Sequence, residues 1–99
     1  MRLAAYSSVA GAVLPNLVAL QDEKLAALPT VLLCPLKAGL ALTSLRVEVV
    51  WRGESLVACP ELARPIRRTA LHPKGWIDEE HSREIIERLQ LLLARESGG

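Results

Sequence analysis

The sequence predicts a mainly β protein closed by one C-terminal helix, an α+β arrangement, and three stretches carry that prediction. Leu28 to Leu36 reads Leu-Pro-Thr-Val-Leu-Leu-Cys-Pro-Leu, an apolar run of strand length followed by Lys37-Ala38-Gly39. Val and Leu bounded by Pro and Gly read as a strand buried on both sides. In a small protein such a strand lies at the centre of its sheet, and the polar loop after it is the natural place for a working surface. Leu45 to Trp51 alternates, with Leu45, Val47, Val49 and Trp51 on one face, as a half-buried strand does. After Asp78, apolar residues fall at Ile85, Ile86, Leu89, Leu92 and Leu93, the stripe of an amphipathic helix.

The elements follow in order. Arg2 to Ser7 reads as a first strand, and Ser8 to Pro15, with Gly11 and Pro15, as a loop. Leu17 to Leu20 is a short second strand, ended by the polar group Gln21 to Lys24; Lys24 to Leu28 reads as irregular or helical chain. Val31 to Leu36 is the central strand. Arg52-Gly53-Glu54 is a turn, and Ser55 to Cys59 pairs back on the strand before it as a hairpin, stopped by Pro60. Leu62 to Leu71 holds a short extended segment around Ile66. Asp78 caps the helix, Glu79 and Glu80 sit at its positive end, and Gly98 and Gly99 lie beyond its end.

Length and composition bound what the chain does. Ninety-nine residues make one domain, spanning 1–99, able to hold a modest core without cross-links. Hydrophobic content of 51% with no Phe points to an aliphatic core. A net charge of +1 offers no general footprint for phosphate backbones, though a local basic patch remains open. Cys34 and Cys59 lie in apolar runs and read as reduced, buried small hydrophobes, with a disulfide between adjacent strands as the other reading. Neither has a His or second Cys at ligand spacing, so no metal and no cofactor are expected. The first 14 residues loosely resemble a signal peptide, but Tyr6, Ser7 and Ser8 interrupt the apolar stretch and Arg2 is its sole cation. No apolar segment reaches the ~20 residues that span a membrane.

The order and spacing of these pieces resemble the CcdB/MazF superfamily of bacterial toxins from type II toxin–antitoxin pairs, over nearly the whole chain. Four pieces carry the resemblance: the Met1 to Tyr6 start; Leu17-Val-Ala-Leu-Gln-Asp22; Val31-Leu-Leu-Cys-Pro-Leu36; and the hairpin at Arg52-Gly53, followed by Ala63 to Leu71 and the helix containing Arg83-Glu-Ile-Ile86. The resemblance implies a small SH3-like barrel with a long C-terminal helix. It also implies a cytoplasmic homodimer, with a cognate antitoxin as partner and no membrane.

The two branches imply different chemistry. MazF-type enzymes cut RNA with an Arg beside a Pro and a hydroxyl just after the central strand. Here those positions fall on Leu14, before Pro15, and on Lys37, and neither supplies the required group. The CcdB-like branch is the closer one. It implies a non-enzymatic poison of DNA gyrase, contacting the gyrase A subunit through Glu87, Gln90, Leu91 and Ala94, with no catalytic residue. The Gly-Ile end of that branch is absent, and Leu93-Ala94-Arg95-Glu96 stands in its place. The alternatives are a divergent MazF/PemK-like endoribonuclease using Lys37 and the Arg64 to Arg68 segment, or an inactive relative that only binds antitoxin.

The residues themselves leave both plain and functional readings open. A single exposed Leu91 is ordinary on a surface, and it would equally serve a partner contact with Ala94. Arg64, Arg67, Arg68 and Lys74, with His72 among them, read either as a solvated loop paired with Asp78, Glu79 and Glu80 or as a contact for an acidic antitoxin or for nucleic acid. Trp76 is the single aromatic available there for base stacking. Trp51 reads as core or dimer interface, and His81 as a surface residue.

Overall fold

The computed structural model describes residues 1–21 and 29–98, with side chains as far as residue 94. It is mainly β: a curled sheet of antiparallel strands with one C-terminal helix. The strands are β1 (Ala4–Ser7), β2 (Leu17–Ala19), β3 (Thr30–Lys37), β4 (Val47–Trp51), β5 (Glu54–Ala58), β6 (Arg64–Arg67) and β7 (His72–Trp76), followed by α1 (Glu79–Gly98). Short 3-10 turns occupy Pro60–Leu62 and Arg68–Ala70. The sheet runs β4-β5-β3-β2-β1-β7, and β6 also pairs with β3. The expected irregular segment from Lys24 to Leu28 lies outside the described residues.

β3 is the hub. One edge pairs with β2 from Leu33 to Pro35; the other is shared by β6, over Thr30 to Leu33, and β5, at Leu36 and Lys37. The central position follows the sequence expectation, but burial on both sides holds over part of the strand only. Leu33 and Cys34 are fully buried on opposite faces, whereas Thr30 is exposed and Leu32 is 36% exposed. Alternation explains the difference. Val31 and Leu33 face one apolar cluster, and Cys34 and Leu36 the other. The second face is covered by residues of β4, β5 and α1, which pack at Cys34 and Leu36, leaving Leu32 beyond that cover.

The sheet thus separates two clusters. Ala5, Val18, Cys34, Val49, Leu56 and Ile85 belong to the one beneath the helix. Tyr6, Leu17, Ala19, Leu33 and Leu71 form the other, on the opposite face of the central strands, with Ile66 of β6 packed against it. Each buried Leu, Val or Ile contributes about 1.5–3 kcal/mol of transfer free energy.

β4 alternates buried and exposed as expected, with Val47, Val49 and Trp51 inward. Trp51 is core. The hairpin loop is Arg52-Gly53 alone, since Trp51 and Glu54 already pair. Both loop residues have positive φ, 47° and 87°, which is the conformation of a tight two-residue hairpin. The first strand starts at Ala4, two residues later than expected, and the second ends at Ala19.

The extended segment expected around Ile66 is β6, Arg64–Arg67; the rest of the stretch read as a solvated basic loop is ordered as a 3-10 turn and β7. β7, which pairs with β1, was not expected, and its Pro73 and Gly75 are residues that strand interiors disfavour. Both are tolerated where they stand. β7 ends the sheet order, so Pro73 sits on an edge strand, and the β1–β7 register shifts between Ala5 and Tyr6. Of the acids expected to pair with this segment, Asp78, Glu79 and Glu80, Asp78 is held by His81, and Glu79 meets the Met1 ammonium at 3.4 Å.

α1 begins at the Asp78 cap, as expected. Ser82, fully buried on its first turns, accepts the Leu3 N–H at 3.0 Å and donates to the Ile77 carbonyl at 3.2 Å, tying helix, first strand and β7 end together. The apolar stripe weakens along its length. Ile85 is fully buried, Ile86, Leu89 and Leu92 are half-buried, and Leu93, expected within the stripe, is 52% exposed. A 20-residue helix is about 30 Å long and outreaches the five-residue β4 it packs on. No helix among the described residues is long and apolar enough to cross a membrane.

Candidate functional site

Two surfaces gather the residues that sequence reasoning singled out. The first is the outer face of α1. At 100° per residue, Glu87, Gln90, Leu91 and Ala94 share one side of the helix, opposite Ile85 and Leu89. All four are exposed, Leu91 at 52%. The face is mixed in character, an apolar centre at Leu91 and Ala94 beside an acid and an amide.

The second surface is a cleft of about 470 Å³ at the C-terminal end of β3, lined by Ser8, Asn16, Leu17, Pro35, Leu36, Lys37, Leu62 and Arg64. Asn16 organises it. Its side-chain oxygen accepts the Ser8 N–H at 3.0 Å, its amide donates to Ser8 Oγ at 2.9 Å, and its backbone links the Tyr6 carbonyl to the Leu36 N–H. The β1–β2 loop is thereby clamped beside the end of β3, where Lys37 is exposed. Arg64 enters from β6, paired through Leu33. Lys37 and Arg64 are two cations over a rim that also holds a hydroxyl and an amide, a combination suited to an anion.

The other basic residues do not join this cleft. By strand alternation Arg67 points to the opposite face of β6 from Arg64. Arg68 lies on the 3-10 turn, and Lys74 is half-buried on β7. Leu14 packs against the core cluster beneath the helix. Ser8 and Asn16 were missed as site residues; the Gly- and Pro-marked loop between two strands was the available signal.

No nucleophile is set up among the thiols. Cys34 and Cys59 are unbonded to each other and fully buried. Burial, then the neighbouring Cys59, pushes the Cys34 thiol up to about 12. Burial, then Glu61, raises Cys59. Both stay protonated at neutral pH and act as small hydrophobes. Glu61 instead braces the loop before β4, accepting from Arg46 Nε at 3.0 Å. Among the described residues no three His, Cys, Asp or Glu side chains converge as a metal site would need. No family model matches the chain, and no curated protein matches it either.

Proposed function

We propose that the protein is a CcdB-like toxin: a small SH3-like barrel that works as a cytoplasmic homodimer, binds and poisons DNA gyrase, and is neutralised by a cognate antitoxin. It is proposed to act by contact, not by catalysis. One observation carries the reading: Glu87, Gln90, Leu91 and Ala94 share a continuous exposed face of α1. An apolar centre rimmed by polar side chains is the anatomy of a protein contact. In this reading Arg64, Arg67, Arg68 and Lys74 meet an acidic, disordered antitoxin tail that folds as it binds, which suits a regulated inhibitor.

The test is inhibition of gyrase supercoiling by the purified protein, with calorimetric titration against the gyrase A subunit. Wild type is expected to inhibit and to bind, and Leu91→Asp to weaken binding about tenfold or more. Absence of both inhibition and binding ends the proposal.

A second reading, a divergent MazF/PemK-like endoribonuclease, has one observation in its favour: Lys37 and Arg64 line the same cleft with the Ser8 hydroxyl. Two cations there would stabilise the phosphorane formed when a ribose 2′-hydroxyl attacks its phosphate and the 5′-oxygen leaves. Against it stand Leu14, an apolar side chain packed against the core, and a Ser8 hydroxyl already held by Asn16. Incubation with long single-stranded RNA decides: discrete cuts abolished by Lys37→Ala support it. No cuts, or cuts unchanged by that substitution, remove it.

A further inference from the structure

A second cleft, of about 400 Å³, lies at the seam where the two ends of the sheet meet. The end strands β4 and β7 have no hydrogen-bonded pairing with each other among the described residues, yet Trp51 and Gly75 touch. A Cβ at Gly75 would stand 3.0 Å from the Trp51 ring, so the glycine makes room for the indole that plugs the seam. Over that plug the cleft is lined by Arg2, Val50, Trp51, Arg52, Gly75, Trp76, Ile77 and Asp78.

The lining has a definite chemistry. Trp76 presents a large ring that is 44% exposed, and Val50, across from it on β4, is 53% exposed. Isolated exposed apolar residues are ordinary; a Trp and a Val on the two walls of one cleft form a slot for a flat apolar group. Two guanidiniums border the slot. Arg52 is held over the Trp51 ring, its central carbon 5.5 Å from the ring centroid. Its backbone sits at φ 47°, an uncommon conformation for a non-glycine residue. Arg2 is anchored through Nε, which donates to the Ile77 carbonyl at 3.2 Å. The one carboxylate present, Asp78, is engaged by the His81 N–H at 2.8 Å and by the His81 ring. Two cations therefore face one acid that already has partners.

We propose that this seam binds a nucleoside phosphate, its base stacked on Trp76 against Val50 and its phosphate taken by Arg2 and Arg52. A flat, sequence-tolerant stacking surface beside forked guanidinium donors matches that ligand, and the cleft volume falls in the usual range for small-molecule sites. The ligand is either a free nucleotide or one residue of a single strand, and the chemistry recognised is the same. The inference rests on neither functional reading above, because the seam shares no residue with the helix face or with the Lys37 cleft.

The experiment is calorimetric titration of the full chain with adenosine monophosphate, with adenosine, and with a short oligouridylate, alongside tryptophan fluorescence. Saturable binding with quenching is expected, and adenosine without its phosphate should bind about tenfold more weakly or worse. Trp76→Leu should weaken nucleotide binding about tenfold. Arg52→Asn should do the same with the fold intact, since Asn-Gly is the favoured pair for this turn. Equal affinity for monomer and oligomer identifies a free nucleotide. Affinity that rises with strand length identifies single-stranded nucleic acid. Lack of saturable binding by either probe, or binding unmoved by both Trp76→Leu and Arg52→Asn, overturns the proposal.

Discussion

Asp78 turns one carboxylate oxygen to the His81 N–H at 2.8 Å, while its own carbonyl accepts the Ser82 N–H at 2.9 Å. One of the amides left unpaired at the helix start thus gains an acceptor. The bond to the His81 N–H is the main reason this carboxyl is held below its ordinary value of 3.8. A lowered folded-state value means the stabilisation is complete above pH 3.8 and is lost as the pH falls through that lowered value. Asp78→Ala is expected to cost about 1 kcal/mol at neutral pH, lowering Tm by about 4–8 °C. Melts followed by circular dichroism should show that gap closing in strong acid, and a gap that persists there would remove the carboxylate from the account. The cap was legible in the sequence because it is local: an Asp, two acids and then an apolar stripe suffice. The tie between Ser82, Leu3 and Ile77 was not, since it joins residues from opposite ends of the chain.

At the scale of the element, β3 shows what an apolar run does and does not say. Its place at the centre of the sheet follows from its composition, but its exposure depends on which neighbours cover it. Leu33→Ala should cost about 2–5 kcal/mol, as the loss of a fully buried side chain does. Leu32→Thr, one residue away on the open face, should stay within about 0.5 kcal/mol. Urea midpoints of the two variants test this, and similar costs at both positions would contradict the half-covered strand. β7 was illegible for a related reason. His-Pro-Lys-Gly-Trp carries two breakers, and only the finished sheet shows that Pro73 lies on an edge strand and that Gly75 clears the Trp51 ring. The helix stripe was legible from Ile85 to Leu92, and Leu93 alone of its expected members is exposed.

For the molecule as a whole, the buried thiols link packing to pH. Cys34 lies in the cluster between sheet and helix, where a thiolate has no solvation. Its folded-state value is raised from 9.0 to about 12, so folding is favoured in full below pH 9.0 and loses that support as the pH climbs toward 12. Cys34→Ala should therefore lower stability at neutral pH through the lost contacts. It should also flatten the alkaline limb, by up to about 1.4 kcal/mol per pH unit. Denaturant titrations between those limits measure it, and parallel limbs for wild type and variant would refute it.

Local periodicity and punctuation determined the β-with-terminal-helix class, the half-buried β4, the tight hairpin at Arg52-Gly53 and the capped helix, because each depends on neighbours a few residues apart. The tertiary structure alone decided the two clefts. Ser8, Asn16, Lys37 and Arg64 come from separate segments, as do Arg2, Trp51 and Trp76. Strand pairing around β3 and the Asn16 clamp assemble the first set, and the curl of a twisted sheet, which returns its end strands to one another, assembles the second; no short window of sequence records either.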